Sequence, residues 1–207
     1  MRSTLRSLGE LGEDVVLAPE RWLAASDVGE GVPLADLVIE RRERADLLER
    51  AVVLDTTHAR DGLLDIPSAL RAVSSAKSVK KSALAGDLVV SRLRPYLRQI
   101  ALVHPRALEA AEGRALALSS EFYVLAPRRA GDDLAFLLPF LLGAQAQAIL
   151  AAAQEGGHHP RVPRSSLLAL RVPRDAIEER ERRSSEVNEA LDALYVATTR
   201  YHGLLSR

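Results

Sequence analysis

The chain has 207 residues, 47% of them hydrophobic and 27% charged, and its 28 basic residues balance 28 acidic ones. This is the composition of an ordinary globular protein, with room for one domain plus an appendage or for two small domains. The absence of cysteine excludes disulfides, thiolate metal sites and cysteine nucleophiles. No signal-peptide pattern opens the chain, and its longest apolar run, residues 134–142, is far shorter than the ~20 residues of a membrane span. We therefore expect a soluble cytoplasmic protein with no membrane partner.

Short apolar runs in the middle of the chain predict β-strands. The segment before them, residues 32–48, predicts a helix instead, because its leucines and Val38 fall on one side of a helix. The predicted strands then cover residues 51–54, 88–91, 100–103, 116–118 and 122–125. Strands this close together, joined by brief turns, favour an antiparallel or mixed sheet over βαβ units.

The C-terminal part of the chain is predicted to be mainly helical. Residues 133–154 are rich in Ala, Leu and Gln, with Asp132 and Asp133 as possible caps and a break expected near Pro139. A loop over residues 156–166 then leads to a last short strand at residues 167–173.

The tail from Asp175 to Leu205 predicts one long helix, a rod of roughly 45 Å at ~1.5 Å per residue. Within it, seven positions recur in steps of three and four and form a heptad seam. They are Ser184, Val187, Leu191, Leu194, Thr198, Tyr201 and Leu205. Because such a rod cannot bury its seam against itself, we expect a partner helix from this chain or another. All of these positions except Ser184 are assigned to the contact between two copies of the chain.

Basic charge is concentrated in one stretch of this neutral chain. Between Arg71 and Arg106 there are eight Lys or Arg residues against one acid, Asp87. Such a local excess is typical of a surface that binds a polyanion, although most charge runs are solvated faces. Arginines also surround Pro95 and Tyr96, and the planar guanidinium suits both phosphate oxygens and the paired acceptors of guanine. From these residues alone, nucleic-acid binding and a solvated face both stay open.

The loop at residues 156–166 is a second basic candidate, with a plain connector as the alternative. It carries Arg161 and Arg164, and prolines that limit the entropy lost on docking. It also holds the adjacent pair His158 and His159, but neighbouring side chains on a loop seldom converge on one metal ion. We expect no metal site.

Nothing in the sequence indicates catalysis. Glycine-rich phosphate loops, a nucleophile elbow and a nuclease-like cluster of acids with lysine are all missing. A cofactor loop and the Asn/Asp-Pro-Pro-aromatic segment expected for methyl transfer to a base are missing too. The sequence therefore predicts a protein that is not an enzyme and needs no cofactor.

Three segments together resemble the specificity subunit of type I restriction–modification systems. They are GDLVVSRLRPYLRQIALV at residues 86–103, FYVLAP at residues 122–127 before a helix, and GGHHPRVPRSSLLALRVP at residues 156–173 before the long helix. VPLADLV at residues 32–38, followed by residues 52–55, lies where that family has a comparable opening. The likeness covers most of residues 30–205 in order.

This resemblance implies an α+β fold: a target-recognition domain with a small mixed or antiparallel sheet and helices, here residues 1–173, and a long coiled-coil helix, here residues 174–207. Such domains bind double-stranded DNA through the major groove, and their helices pair as spacers and dock DNA methyltransferase subunits. Those partners bind S-adenosylmethionine and methylate adenine, and a restriction or motor subunit is a further partner. The specificity subunit itself has no catalytic activity.

The contacts are assigned on this basis. Lys77, Lys80 and Lys81 are candidates for positioning phosphates. Arg92, Arg94, Tyr96 and Arg98 are the first candidates for contacts at the base edges. The second candidates are His158, His159, Arg161 and Arg164.

One departure from the family concerns domain number, because full-length members carry two recognition domains and two helices whereas this chain has one of each. A homodimer paired through the tails would restore the usual arrangement and recognise a palindromic, bipartite site. Two alternatives stay open: an adaptor that binds only proteins, and a stand-alone phage-defence or regulatory protein that uses the same domain.

Overall fold

The computed structural model describes residues 31–45, 51–72, 79–157 and 160–205, with the backbone alone at Leu205. The strands within these ranges are β1 (Gly31–Pro33), β2 (Val38–Glu40), β3 (Val52–Leu54), β4 (Ala59–Arg60), β5 (Leu63–Leu64), β6 (Lys80–Ala83), β7 (Leu88–Ser91), β8 (Ile100–Leu102), β9 (Leu116–Ser119), β10 (Phe122–Pro127) and β11 (Arg171–Pro173). The α-helices are α1 (Ile66–Arg71), α2 (Pro105–Ala110), α3 (Leu137–Leu142), α4 (Ala144–Ala152), α5 (Arg164–Leu168), α6 (Arg174–Glu178) and α7 (Arg180–Leu205). Short 3-10 turns cover Leu34–Asp36, Thr56–His58 and Pro95–Leu97.

Two small sheets organise the strands. The first has the order β2-β10-β7-β8 and is antiparallel throughout. The second has the order β3-β9-β6 and is mixed, because β3 runs parallel to β9 while β6 runs antiparallel to it. Two further antiparallel pairs join β1 to β11 and β4 to β5. The predicted α+β class, with a mixed or antiparallel sheet, is confirmed.

Strand β10 lies between two hydrophobic cores. Its side chains alternate, so that Tyr123 and Leu125 enter one buried cluster while Phe122 and Val124 enter the other. Successive side chains of a strand point to opposite faces, and FYVLAP is apolar at both sets of positions. A nearly continuous apolar strand is therefore what a sheet buried on both faces requires.

All five strands predicted from apolar runs are present. β3, β7, β8, β9 and β10 each begin within one residue of the predicted start, and β10 extends two residues beyond the predicted end. These runs are bounded by turn residues, which is why a local pattern was enough to locate them.

The helix predicted over residues 32–48 is wrong. The chain instead forms β1, a 3-10 turn and β2, while residues 46–50 lie outside the described ranges. Leu34 and Val38 are buried as their spacing suggested. Val38, however, lies on β2, which pairs with β10, and Leu34 lies in the 3-10 turn that follows β1, which pairs with β11; both partner strands are far along the chain. Tertiary pairing overrides local periodicity here.

The helical region after β10 also differs from the prediction. The helix begins at Leu137 rather than at residue 133 and breaks at Gly143, between α3 and α4, not at Pro139. Pro139 lies in the first turn of α3, where a missing N–H costs no intrahelical hydrogen bond. Asp133 accepts a hydrogen bond from the N–H of Ala135 (2.8 Å) and so closes the turn before α3. Likewise, residues 167–173 are only partly a strand, since α5 takes the first of them.

The tail is two helices, α6 and the 26-residue α7, rather than one. α7 packs against its own domain through Ser184, Leu191 and Tyr195, which are all buried. The Ser184 hydroxyl accepts from the Phe136 N–H (3.2 Å), and the Tyr195 hydroxyl accepts from the Leu64 N–H (2.9 Å). The seam positions Ser184 and Leu191 are therefore covered by the chain's own domain, whereas the sequence predicted a partner helix from this chain or another.

Candidate nucleic-acid interface

The two basic loops predicted separately from the sequence lie side by side in the structure. An isolated β-bridge joins Leu93 to Arg161, and the Val162 N–H donates to the Arg92 carbonyl (2.8 Å). The Tyr123 hydroxyl, which comes from β10, donates to the Val162 carbonyl (2.8 Å). The segment after β7 and the segment before α5 therefore form one surface, fastened to the first sheet.

The loop between β7 and β8 presents its tip to solvent in an unusual backbone conformation. Arg94 (φ +45°) and Arg98 (φ +51°) are both left-handed and flank the 3-10 turn Pro95–Leu97. A non-glycine residue costs about 1–3 kcal/mol in such a region, and costs of this kind cluster at functional sites. Arg98 is held by Asp61 (2.9 Å), while the Arg94 side chain makes no hydrogen bond or ion pair to any described residue. Tyr96 is 69% exposed.

Behind this loop, cations surround the Tyr123 ring. The Arg92 guanidinium carbon lies 5.3 Å from the ring centroid, and the Lys81 Nζ lies 5.8 Å from it. Both distances are within the range of cation–π attraction. The Lys81 Nζ also donates to the Phe122 carbonyl (2.6 Å). Burial raises the pKa of the Tyr123 hydroxyl, so this group stays a donor and a neutral anchor.

The Glu40 carboxylate, at the end of β2, binds cations from three different segments. Its Oε2 accepts from the Nε of Arg42 (3.0 Å) and the Nε of Arg164 (2.8 Å), and its Oε1 accepts from the Nζ of Lys81 (3.3 Å). The carboxylate side chain is only 7% exposed. Burial alone would raise the pKa of Glu40, but the hydrogen bonds from Arg42 and Lys81 outweigh burial and lower it.

A second carboxylate, Glu121 in the turn between β9 and β10, holds Arg161 through two hydrogen bonds (2.7 and 2.9 Å). The Arg161 bond lowers the pKa of Glu121 against a smaller effect of burial, with further help from the charges of Arg92 and Lys81. We call the eight residues around these two carboxylates the basic cluster. They are Glu40, Arg42, Lys81, Arg92, Glu121, Tyr123, Arg161 and Arg164. Five cations and two carboxylates leave this surface positively charged.

The structure thus separates the predicted contact residues by environment. Lys81, Arg161 and Arg164 are ion-paired within the basic cluster, and Arg98 is paired with Asp61. Arg94 and Tyr96 are exposed, and Lys80 is half-buried on β6. Lys77, His158 and His159 lie outside the described residues. The role of all these predicted contact residues in binding DNA stays a prediction.

Sequence reasoning missed the residues that assemble this surface, namely Glu40, Glu121 and Tyr123. Glu40 was placed in a helix, and Glu121 stood between two predicted strands without a distinguishing pattern. Tyr123 belonged to a quoted motif, and the scarcity of tyrosine, with four in the chain, was the only signal.

The predicted seam of α7 divides into two faces. Leu191 is 4% exposed and belongs to the chain's own core, with Val187 partly buried against it, so neither is a free contact for a second copy. Leu194 and Tyr201 are exposed, and the side chain of Leu205 is not described. An exposed apolar stripe therefore runs along α7 beside the docked face. It consists of Ala190, Leu194, Ala197, Tyr201 and Leu204.

Comparisons with known proteins bear on the fold. No family model and no curated protein matches the chain. The structure is similar to the crystal structure of the HsdS subunit from Thermoanaerobacter tengcongensis, with a TM-score of 0.54 and 18% sequence identity over 81% of this chain and 43% of that one. It is also similar to a chain from a structure of assembly and conformational transition in the type I R-M system. That comparison gives a TM-score of 0.51 and 19% identity over 84% of this chain and 44% of the other.

These likenesses show that the chain has the specificity-subunit fold, as the sequence motifs predicted. The chain spans less than half the length of either structure. Within the described ranges, none of the helices combines the length and apolar character needed to cross a membrane.

Proposed function

We propose that this chain is the sequence-specific recognition component of a type I restriction–modification system and binds double-stranded DNA. The observation that carries the proposal is the junction of two basic loops at the Leu93–Arg161 bridge, on a fold shared with a specificity subunit. A rigid sheet holds both loops, as direct contact with base edges requires.

The exposed loop tip is the part proposed to enter a groove. Arg94 and Tyr96 are its candidates for base contacts, because they are the outward side chains of a strained turn. Arg92, Arg98, Arg161 and Arg164 lie behind or beside it. Lys80 and Lys81, with Lys77, His158 and His159 from outside the described residues, complete the proposed contacts, chiefly to phosphates.

Pairing through α7 is the proposed route to a bipartite site. The exposed stripe around Leu194 and Tyr201 has the three-and-four spacing of a helix–helix seam. Two copies related by a two-fold axis would present two recognition domains, taken as residues 1–173, at a distance set by the helices at residues 174–207. The recognised DNA would then be palindromic with a central gap.

In this proposal the chain itself is non-catalytic. A DNA methyltransferase subunit, and in restricting systems a restriction or motor subunit, supplies the chemistry. The shared fold is what supports this partnership. Co-purification of the chain with a candidate methyltransferase subunit tests it separately from DNA binding.

Affinity selection from a random duplex pool, followed by fluorescence polarisation across salt concentrations, tests DNA recognition. The expected result is one enriched sequence with two inverted half-sites at a constant separation. Its log affinity should fall linearly with log salt concentration, with a slope of about −0.9 for each phosphate neutralised. No enrichment, together with no binding at low salt, would refute the proposal.

A second candidate, an adaptor that binds only proteins, is favoured by one specific observation. Lys81, Arg161 and Arg164 are each paired with a carboxylate inside the chain. The same salt series separates the two candidates, since an adaptor predicts no duplex binding at any salt concentration.

A further inference from the structure

The basic cluster contains two carboxylates at the place where a polyanion would have to approach. Glu40 and Glu121 neutralise part of the surface that is proposed to bind DNA, and each is held by arginine. A surface built for affinity alone would leave such acids out, because each reduces the number of phosphates that can be neutralised. Their positions therefore call for a functional reason, which the next observations supply.

Each carboxylate fixes the orientation of an arginine from the second basic loop region. Glu40 on β2 holds Arg164 of α5, 124 positions away, at 2.8 Å. Glu121 holds Arg161 at 2.7 and 2.9 Å through two bonds from one guanidinium. The bidentate pairing of Arg161 with Glu121 sets both the position and the plane of that guanidinium, whereas Glu40 holds the Nε of Arg164 by a single bond.

The two carboxylates also remain charged. The pKa of Glu121 is lowered by Arg161, and that of Glu40 is lowered by Arg42 and Lys81 in spite of burial. They are therefore anions at neutral pH and compete directly with phosphate for the same cations.

We infer that Glu40 and Glu121 are specificity-determining residues, which restrain binding to unrelated DNA while holding Arg161 and Arg164 in the orientation that recognition needs. This inference rests on the proposed function. Binding to unrelated DNA is almost entirely electrostatic, so it depends on how many cations are available to phosphates. Binding to the selected site depends in addition on the fixed geometry of side chains at base edges.

Glu40→Gln and Glu121→Gln test this inference by removing the charge while keeping the size of the side chain. Glu186→Gln is the matched control, because Glu186 also pairs with an arginine, Arg182, but lies on α7, which carries none of the candidate DNA contacts. Polarisation with the selected duplex and with an unrelated duplex, over ~0.05–0.3 M salt, gives both affinities and both salt slopes.

Each test variant is expected to bind unrelated DNA roughly tenfold more tightly at ~0.1 M salt, with the salt slope steeper by about one. The ratio of selected-site to unrelated affinity should fall, because the freed arginine loses its fixed orientation. The control should change none of these values.

Three outcomes would overturn the inference. They are an unchanged slope for unrelated DNA, a loss of affinity for it, and an equal gain for both duplexes with the ratio intact. If the wild-type chain binds no duplex, the proposed function fails instead, which is a distinguishable result. Thermal melts establish folding, and should the more buried Glu40→Gln variant fail to fold, Glu121→Gln at the half-buried position between β9 and β10 decides the matter.

Discussion

Replacing Leu191 by alanine tests whether α7 is part of the domain core. Leu191 lies on the face of α7 that contacts the domain and is 4% exposed. Opposite it is Gly62 (φ +96°), where an added Cβ would be 2.8 Å from Leu138 and 3.5 Å from Leu191. Since the wall of this site includes a glycine without a side chain, the space left by Leu191→Ala has little material to fill it.

The expected loss is large relative to the stability of a small protein. A buried Leu→Ala substitution that leaves a cavity costs about 2–5 kcal/mol, and the absence of a side chain at Gly62 places Leu191 in the upper half of that range. A domain of this size is stable by only about 5–15 kcal/mol. The urea midpoint should therefore fall clearly, with little change in the slope m of the transition.

Leu194→Ala is the matched control, because Leu194 is also a leucine on α7 but is 48% exposed. Its effect on the unfolding free energy of the monomer should stay within about 1 kcal/mol. It should instead weaken self-association, measured by sedimentation equilibrium, because Leu194 lies on the exposed stripe. Unfolding is to be measured at protein concentrations below the dissociation constant of the dimer, since pairing adds apparent stability. Equal destabilisation by both variants, or none by Leu191→Ala, would show that α7 does not dock on the domain as described.

Three further predictions concern the same helix contact and the proposed DNA contacts. Tyr195→Phe should lower the unfolding free energy by about 1–3 kcal/mol in urea denaturation, because the buried Leu64 N–H loses its acceptor; an unchanged midpoint would contradict this. His104 is buried against the Tyr195 ring (centroids 5.6 Å apart), and burial lowers its pKa, so the unfolded chain binds the proton more readily. The contribution of neutral His104 to stability is therefore complete above the unfolded-state pKa of about 6.5 and declines as the pH falls below that value. The urea midpoint of the wild-type chain should fall between about pH 7 and 5, and the His104→Gln variant should show a smaller fall. Arg94→Ala should cost about 1–3 kcal/mol on the selected duplex and little on unrelated DNA, whereas Lys80→Ala should weaken both and reduce the salt slope by about one; equal losses for Arg94→Ala would make it a phosphate contact.

Much of the fold followed from local pattern. β7, β8, β9 and β10 were predicted from short apolar runs between turn residues, and α7 from a long stretch that has no glycine or proline before Gly203. Such signals survive because both strand alternation and helix continuity are properties of neighbouring residues. The helix predicted over residues 32–48 failed for the converse reason, since β1 and β2 exist only because distant strands pair with them.

By itself, the sequence determined the class of the fold, the existence of two basic segments and the heptad spacing of the tail. The tertiary structure decided that these basic segments meet, that Glu40 and Arg164 pair across 124 positions, and that part of the tail seam belongs to the chain's own core. The physical reason is the range of the interactions. Charge excess and hydrophobic periodicity are carried by adjacent residues, whereas an ion pair or a buried helix face depends on which surfaces the folded chain brings into contact.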